Sequence, residues 1–154
     1  MTVRELMERV RWAISRTENV EEVLRVWSER PELVRVFDGE DGQTHLEHRS
    51  INLVVELAPE VRATPTTPSE TVRFVEIEAS SDESASFHSA PSRQLSVVLD
   101  GDFEIEAEAG ERARCRPGTL LLLEDSGRGR GHRNITNGPI RVLFVEVPPS
   151  WSPL

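Results

Sequence analysis

The feature that most constrains this chain is a series of short segments with apolar residues at every second position, starting near residue 71 and running to residue 147. Successive side chains of a strand point to opposite faces, so a period of two belongs to strands with one buried face. The predicted strands are Val72 to Ala79, Gln94 to Leu99, Phe103 to Ala107, Arg112 to Cys115, Thr119 to Leu123 and Ile140 to Val147. Phe103, Ile105 and Ala107 show the pattern plainly, alternating with Glu104 and Glu106. Asp100-Gly101 is a hairpin signal, and Ala109-Gly110, Pro117-Gly118 and Asn137-Gly138 mark further turns. Many short strands separated by tight turns define a sandwich or barrel.

The chain before residue 71 reads differently. Thr2-Val3-Arg4-Glu5 and Asn19-Val20-Glu21-Glu22 are capping-box patterns. Each opens an apolar stripe at helical spacing: Val3, Leu6, Met7, Val10 and Ile14, then Val20, Val23, Leu24 and Trp27. Pro31 ends the second predicted helix. Leu33 to Phe37 fits a strand or a helical turn, Asp38 to Gly42 a turn, and Ile51 to Leu57 a strand. Residues 63–69 form a loop with two prolines. The expected organisation is a short helical extension over 1–32, a β-domain over 33–148 and an arm over 149–154.

Composition excludes several chemistries. The 18 basic residues are all arginine against 27 acidic ones, a net charge of −9, and there is no lysine and no tyrosine. Lysine Schiff-base chemistry, a P-loop lysine and a tyrosine acid or base are therefore out. The acidic balance lacks the basic face that nucleic-acid binding needs. Cys115 is the one cysteine, so no intrachain disulfide forms. It sits in the alternating run Arg112 to Arg116 and reads as a small strand side chain. Apolar runs such as Leu120 to Leu123 are far too short to span a bilayer, and no secretory leader is visible at the start. The expectation is a soluble cytoplasmic protein with no membrane partner.

Within this frame, Phe87-His88-Ser89-Ala90-Pro91-Ser92-Arg93-Gln94, then Arg116-Pro117-Gly118, Glu124-Asp125 and Gly131-His132 carry a family resemblance. They resemble the two motifs of the cupins, here of the small bacterial single-domain kind. His88 stands at the first histidine of the first motif, Gln94 at its glutamate and Gly101 at its closing glycine. Ala90 takes the second histidine position and Asp82 the leading glycine. In the second motif Gly129 and His132 match, whereas Leu121, Gly127 and Thr136 replace its first glycine, its proline and its asparagine. The resemblance spans roughly residues 70–148.

The resemblance implies an all-β, antiparallel double-sheet barrel (a jelly roll) with a pocket at its open end. It also implies pairing into a homodimer. Many cupins are small-molecule enzymes (dioxygenases, isomerases or cyclases among them), and others only bind or sense a ligand. The site it implies is His88, Gln94 and His132, either around one divalent metal (iron, nickel, manganese or zinc) or as a metal-free polar cluster on an organic ligand. His88 and His132 are then also candidates for proton transfer. Glu124 and Asp125 follow a strand of leucines, and such a strand end can point at the barrel mouth, so a carboxylate there, Glu124 first, is a candidate to complete the metal shell or to serve as general acid or base. The alternative is a water-exposed strand terminus. Arg93 could hold an anionic substrate or face outward.

Two further features read as structural. The loop Ser126 to Gly131 interleaves three glycines with Arg128 and Arg130 but lacks the strand and helix of a phosphate-binding motif, so it reads as a turn that places His132. His45 and His48, three residues apart, would share a helix face, but with no third ligand nearby they read as solvent-exposed.

Overall fold

Residues 120–123 are four consecutive leucines, and Leu33, Val34 and Val36 nearly repeat that pattern around Arg35, as strands buried on both faces do. The structure, a computed structural model, places both segments inside one sheet. It describes residues 32–59, 61–69, 71–78, 85–136 and 138–154. The helices expected over 1–32 lie outside these residues, except that Glu32 opens the first strand. No described helix is long and apolar enough to cross a membrane.

The described chain is all-β. It begins with β1 (Glu32–Asp38), β2 (Thr44–Ser50), β3 (Val55–Ala58), β4 (Val61–Ala63) and β5 (Val72–Ile77). It continues with β6 (Gln94–Asp100), β7 (Phe103–Ala107), β8 (Arg112–Cys115), β9 (Leu120–Glu124), β10 (His132–Thr136) and β11 (Ile140–Glu146). A six-stranded sheet runs β2-β1-β9-β6-β11-β5, a three-stranded sheet runs β10-β7-β8, and β3 with β4 forms a separate hairpin. The arrangement is consistent with a jelly roll.

The ambiguous stretch 33–50 is thus a hairpin of two strands, and 132–136, not predicted as a strand, is β10. Pairing is antiparallel throughout except between β1 and β9, where Leu33 to Phe37 align in parallel with Leu120 to Glu124. His45 and His48 lie on β2, so their spacing sends them to opposite faces.

Alternation along the strands builds two cores. Val34, Val36, Val98, Leu121, Leu123 and Val142 of the large sheet face Phe103, Ile105, Ala107, Ala113 and Cys115 of the small one. On the opposite face of the large sheet, Leu33, Leu122 and Val147 form a second cluster with Leu95, Val145, Trp151 and Leu154. The expected carboxy-terminal arm supplies part of that cover. Its Trp151 Nε1 donates to the Pro65 carbonyl at 2.7 Å, and the Asn52 N–H donates to the Pro153 carbonyl at 2.6 Å. Gly101, at φ 87°, closes the predicted β6–β7 hairpin in the left-handed region that glycine tolerates.

Candidate functional site

Asp38, at the end of β1, fixes the loop that leads to the site. Its carboxylate accepts from the backbone N–H groups of Ser126 (2.9 Å) and Arg128 (3.1 Å) and from the Thr44 hydroxyl (3.1 Å). Burial alone would raise the Asp38 pKa, but these donors hold it below the usual carboxylate value. The Thr44 oxygen in turn accepts from Gly131 N at 3.0 Å, and Glu108 accepts from Arg130 N at 2.7 Å. The glycine-rich loop therefore spends these N–H groups on the protein's own oxygens, and its course delivers His132 to the start of β10.

His132 and His88 meet there. Each backbone N–H donates to the other's carbonyl, at 2.8 and 2.9 Å, as an isolated antiparallel bridge. Their ring centroids lie 4.6 Å apart, with the planes inclined by 57°. The approach requires Gly131. At φ +87° it occupies the left-handed region, and a Cβ there would sit 2.0 Å from the His88 carbonyl oxygen.

The His132 side chain is buried, and its Nδ1 lies 2.8 Å from Oδ2 of Asp125, which is fully buried. The same oxygen accepts from Ala90 N at 3.3 Å. Oδ1 of Asp125 has no hydrogen-bond partner among the described residues. A carboxylate against Nδ1 selects the tautomer with the proton on that nitrogen and leaves the Nε2 lone pair free. His88 is exposed, with Nδ1 3.1 Å from the Ser86 carbonyl.

His88, Gln94 and His132 line one cavity of about 240 Å³. Thr71 and, from β5, Arg73, Val75 and Ile77 form one wall, and Leu123, Phe144 and Glu146 lie beside them. Ala90, Pro91 and Asn134 complete the lining. Glu146 accepts from the Ser92 hydroxyl at 2.7 Å, and this bond, with a second from the Thr71 side chain, keeps its carboxyl below the usual range.

Glu124 and Arg93 lie elsewhere. On β9, Leu121 and Leu123 face the inner core and Leu122 the outer one, so parity sends Glu124 outward and the following Asp125 inward. Glu124 is paired with Arg35 and, at 2.8 Å, with Arg93. Arg93 also donates to the Pro148 carbonyl at 2.8 Å. Neither residue lines the cavity. Asp125, which the sequence offers beside Glu124 as a strand-end carboxylate, and Arg73 and Glu146, to which it assigns no role, stand at or directly behind the cavity wall. Counting parity from the leucine run would have found Asp125.

Cys115 is buried in the inner core, where desolvation pushes its thiol up to about 12. As a metal site, the cavity offers two imidazoles and the neutral Gln94 amide, with Ala90 contributing no donor. Among the described residues no group of three or more His, Cys, Asp or Glu is placed to hold a metal ion. The Asp125 carboxylate behind His132 is, however, the kind of partner that orients a ligating imidazole.

Fold and site together define a double-sheet β-protein with a small cavity of mixed polarity between its sheets. No protein-family profile matches the chain. No curated protein matches it either. Among solved structures it is similar to one assigned as ethanolamine utilization protein Q from Salmonella typhimurium LT2, at 15% identity and a TM-score of 0.37. That alignment covers 79% of this chain and 98% of the other.

Proposed function

We propose that the protein is a small-molecule enzyme of the cupin type that works by proton transfer in the cavity, with His132 as the base. The observation that carries this reading is the buried Asp125–His132 pair at the wall of a cavity that His88 and Gln94 also line. His132 Nε2 takes a proton from a bound substrate carbon next to a carbonyl. Asp125 keeps accepting from Nδ1–H and balances the imidazolium that forms. Return of the proton to a different carbon completes an isomerisation; alternatively the carbanion attacks a second carbonyl of the same molecule, whose π pair moves to its oxygen and takes the proton back from His132, which completes a cyclisation. His88 and the Gln94 amide are the groups available to hold the carbonyl oxygen.

The test is exchange of solvent deuterium into a panel of small ketones and keto acids, followed by NMR. The wild type should accelerate exchange into at least one compound, and His132→Gln should abolish it. Binding without any exchange by the wild type would sink the enzyme reading and leave a non-catalytic binding protein.

The presence of two imidazoles and an amide on one cavity favours a second reading, in which His88, Gln94 and His132 would hold a divalent metal, which would supply Lewis-acid or redox chemistry there. Elemental analysis of protein purified without added metal checks it. His88→Ala and His132→Ala should each lose the metal, and equal content in both variants and the wild type would end this reading.

A further inference from the structure

The charged groups around the cavity differ in one respect. Glu146 accepts from Ser92 and Thr71, and His132 is held by Asp125. Arg73, exposed at the rim of the same cavity, adds its charge to the groups that keep Glu146 ionised, yet among the described residues its guanidinium is in direct hydrogen-bond or ion-pair contact with no partner. Five N–H donors in a planar fork suit a carboxylate bidentately. Along β5 the inward positions after Arg73 are Val75 and Ile77, and β11 sets Phe144 directly across from Arg73. The cavity therefore grades from a cationic rim to an apolar wall of Val75, Ile77, Leu123 and Phe144. Its volume of about 240 Å³ lies just below the range of about 300–1,000 Å³ usual for drug-sized ligands, which suits a small molecule.

We propose that the cavity takes a small amphiphilic monocarboxylate, its carboxylate held by Arg73 and its apolar body lying on Val75, Ile77, Leu123 and Phe144. The proposal rests on the cavity being the small-molecule site argued above, and it names the class of molecule that enters. Glu146 sets the limit to one negative charge. It is a fixed anion whose lone pairs already serve Ser92 and Thr71, so a second carboxylate on the ligand would meet repulsion with no donor to offset it.

Titration calorimetry with hexanoate, hexanamide, hexylamine and adipate tests this. Hexanoate should bind the wild type at least about tenfold more tightly than the neutral amide or the dianion, and the amine should be weakest. In Arg73→Gln the preference of hexanoate over hexanamide should vanish while hexanamide binds as before, and Arg73→Lys should restore part of it. A carboxylate preference that survives Arg73→Gln, stronger binding of the amine, or no binding of hexanoate would each overturn the proposal. The deuterium-exchange experiment reads proton transfer and not charge preference, so its failure is separable. Exchange into neutral ketones with no carboxylate preference would overturn this inference alone.

Discussion

Nδ1 of His132 lies 2.8 Å from Oδ2 of Asp125, with 4% of one side chain and none of the other exposed. Asp125→Asn keeps the shape but offers an amide where a full carboxylate stood. We expect the ring ¹⁵N shifts of His132 to report the Nδ1–H tautomer in the wild type and a mixture in the variant. We also expect a loss of about 1–3 kcal/mol in urea unfolding. Unchanged ring shifts would show that Asp125 does not set the tautomer.

Glu124 faces away from the cavity and bridges Arg35 and Arg93. Glu124→Gln should leave the ligand affinity and any deuterium exchange untouched. It should lower stability by about 1–2 kcal/mol, between the values for exposed and buried pairs. A large loss of exchange with unchanged stability would return Glu124 to the chemistry.

Gly131→Ala places a methyl group 2.0 Å from the His88 carbonyl oxygen on a backbone with φ +87°. Backbone strain and the lost bridge together should cost at least about 2–3 kcal/mol. In amide hydrogen exchange His88 and His132 should lose protection first, before the β6–β9 ladder. Retained protection at both amides would contradict the contact.

His45 sits between Glu111 and Asp41, each 2.8 Å from a ring nitrogen, and these two carboxylates raise its pKa, Glu111 more than Asp41. The folded state thus holds the His45 proton more tightly than the unfolded chain does. Its contribution is complete below the unfolded value of about 6.5 and disappears as pH rises through the raised folded value. His45→Gln should therefore be more destabilising at about pH 5.5 than at about pH 8.5 in urea titrations. An equal effect at both pH values would contradict the charge pairing.

How much of this was legible in the sequence follows from side-chain parity. Phe103, Ile105 and Ala107 alternate with glutamates on a strand with one wet face, and β7 was read at its observed bounds. Where both faces are covered the alternation disappears, and Leu33 to Phe37 then fits a helix as well as a strand. β10 was missed because His132, Arg133 and Asn134 are all polar, and the cavity and ion pairs that accommodate them are tertiary. His88, Gln94 and His132 are the residues that the cupin resemblance implies, and all three line one cavity. Glu124 was preferred to Asp125 because strand ends were considered without asking which face each residue takes. Arg73 and Glu146 had no sequence signal, since their inward direction depends on how β5 and β11 pair.

The parallel contact between β1 and β9 sets the order in which this sheet can assemble. Leu33 aligns with Leu120, so the β1–β2 hairpin closes from local contacts but has no neighbour until the chain has been made as far as β9. Pairings this distant in sequence are slow, in the range of milliseconds to seconds. During synthesis on the ribosome Leu33, Val34 and Val36 of β1 therefore stay uncovered until residues 120–124 of the 154 have emerged, which makes that interval the stage at which a chaperone would matter most.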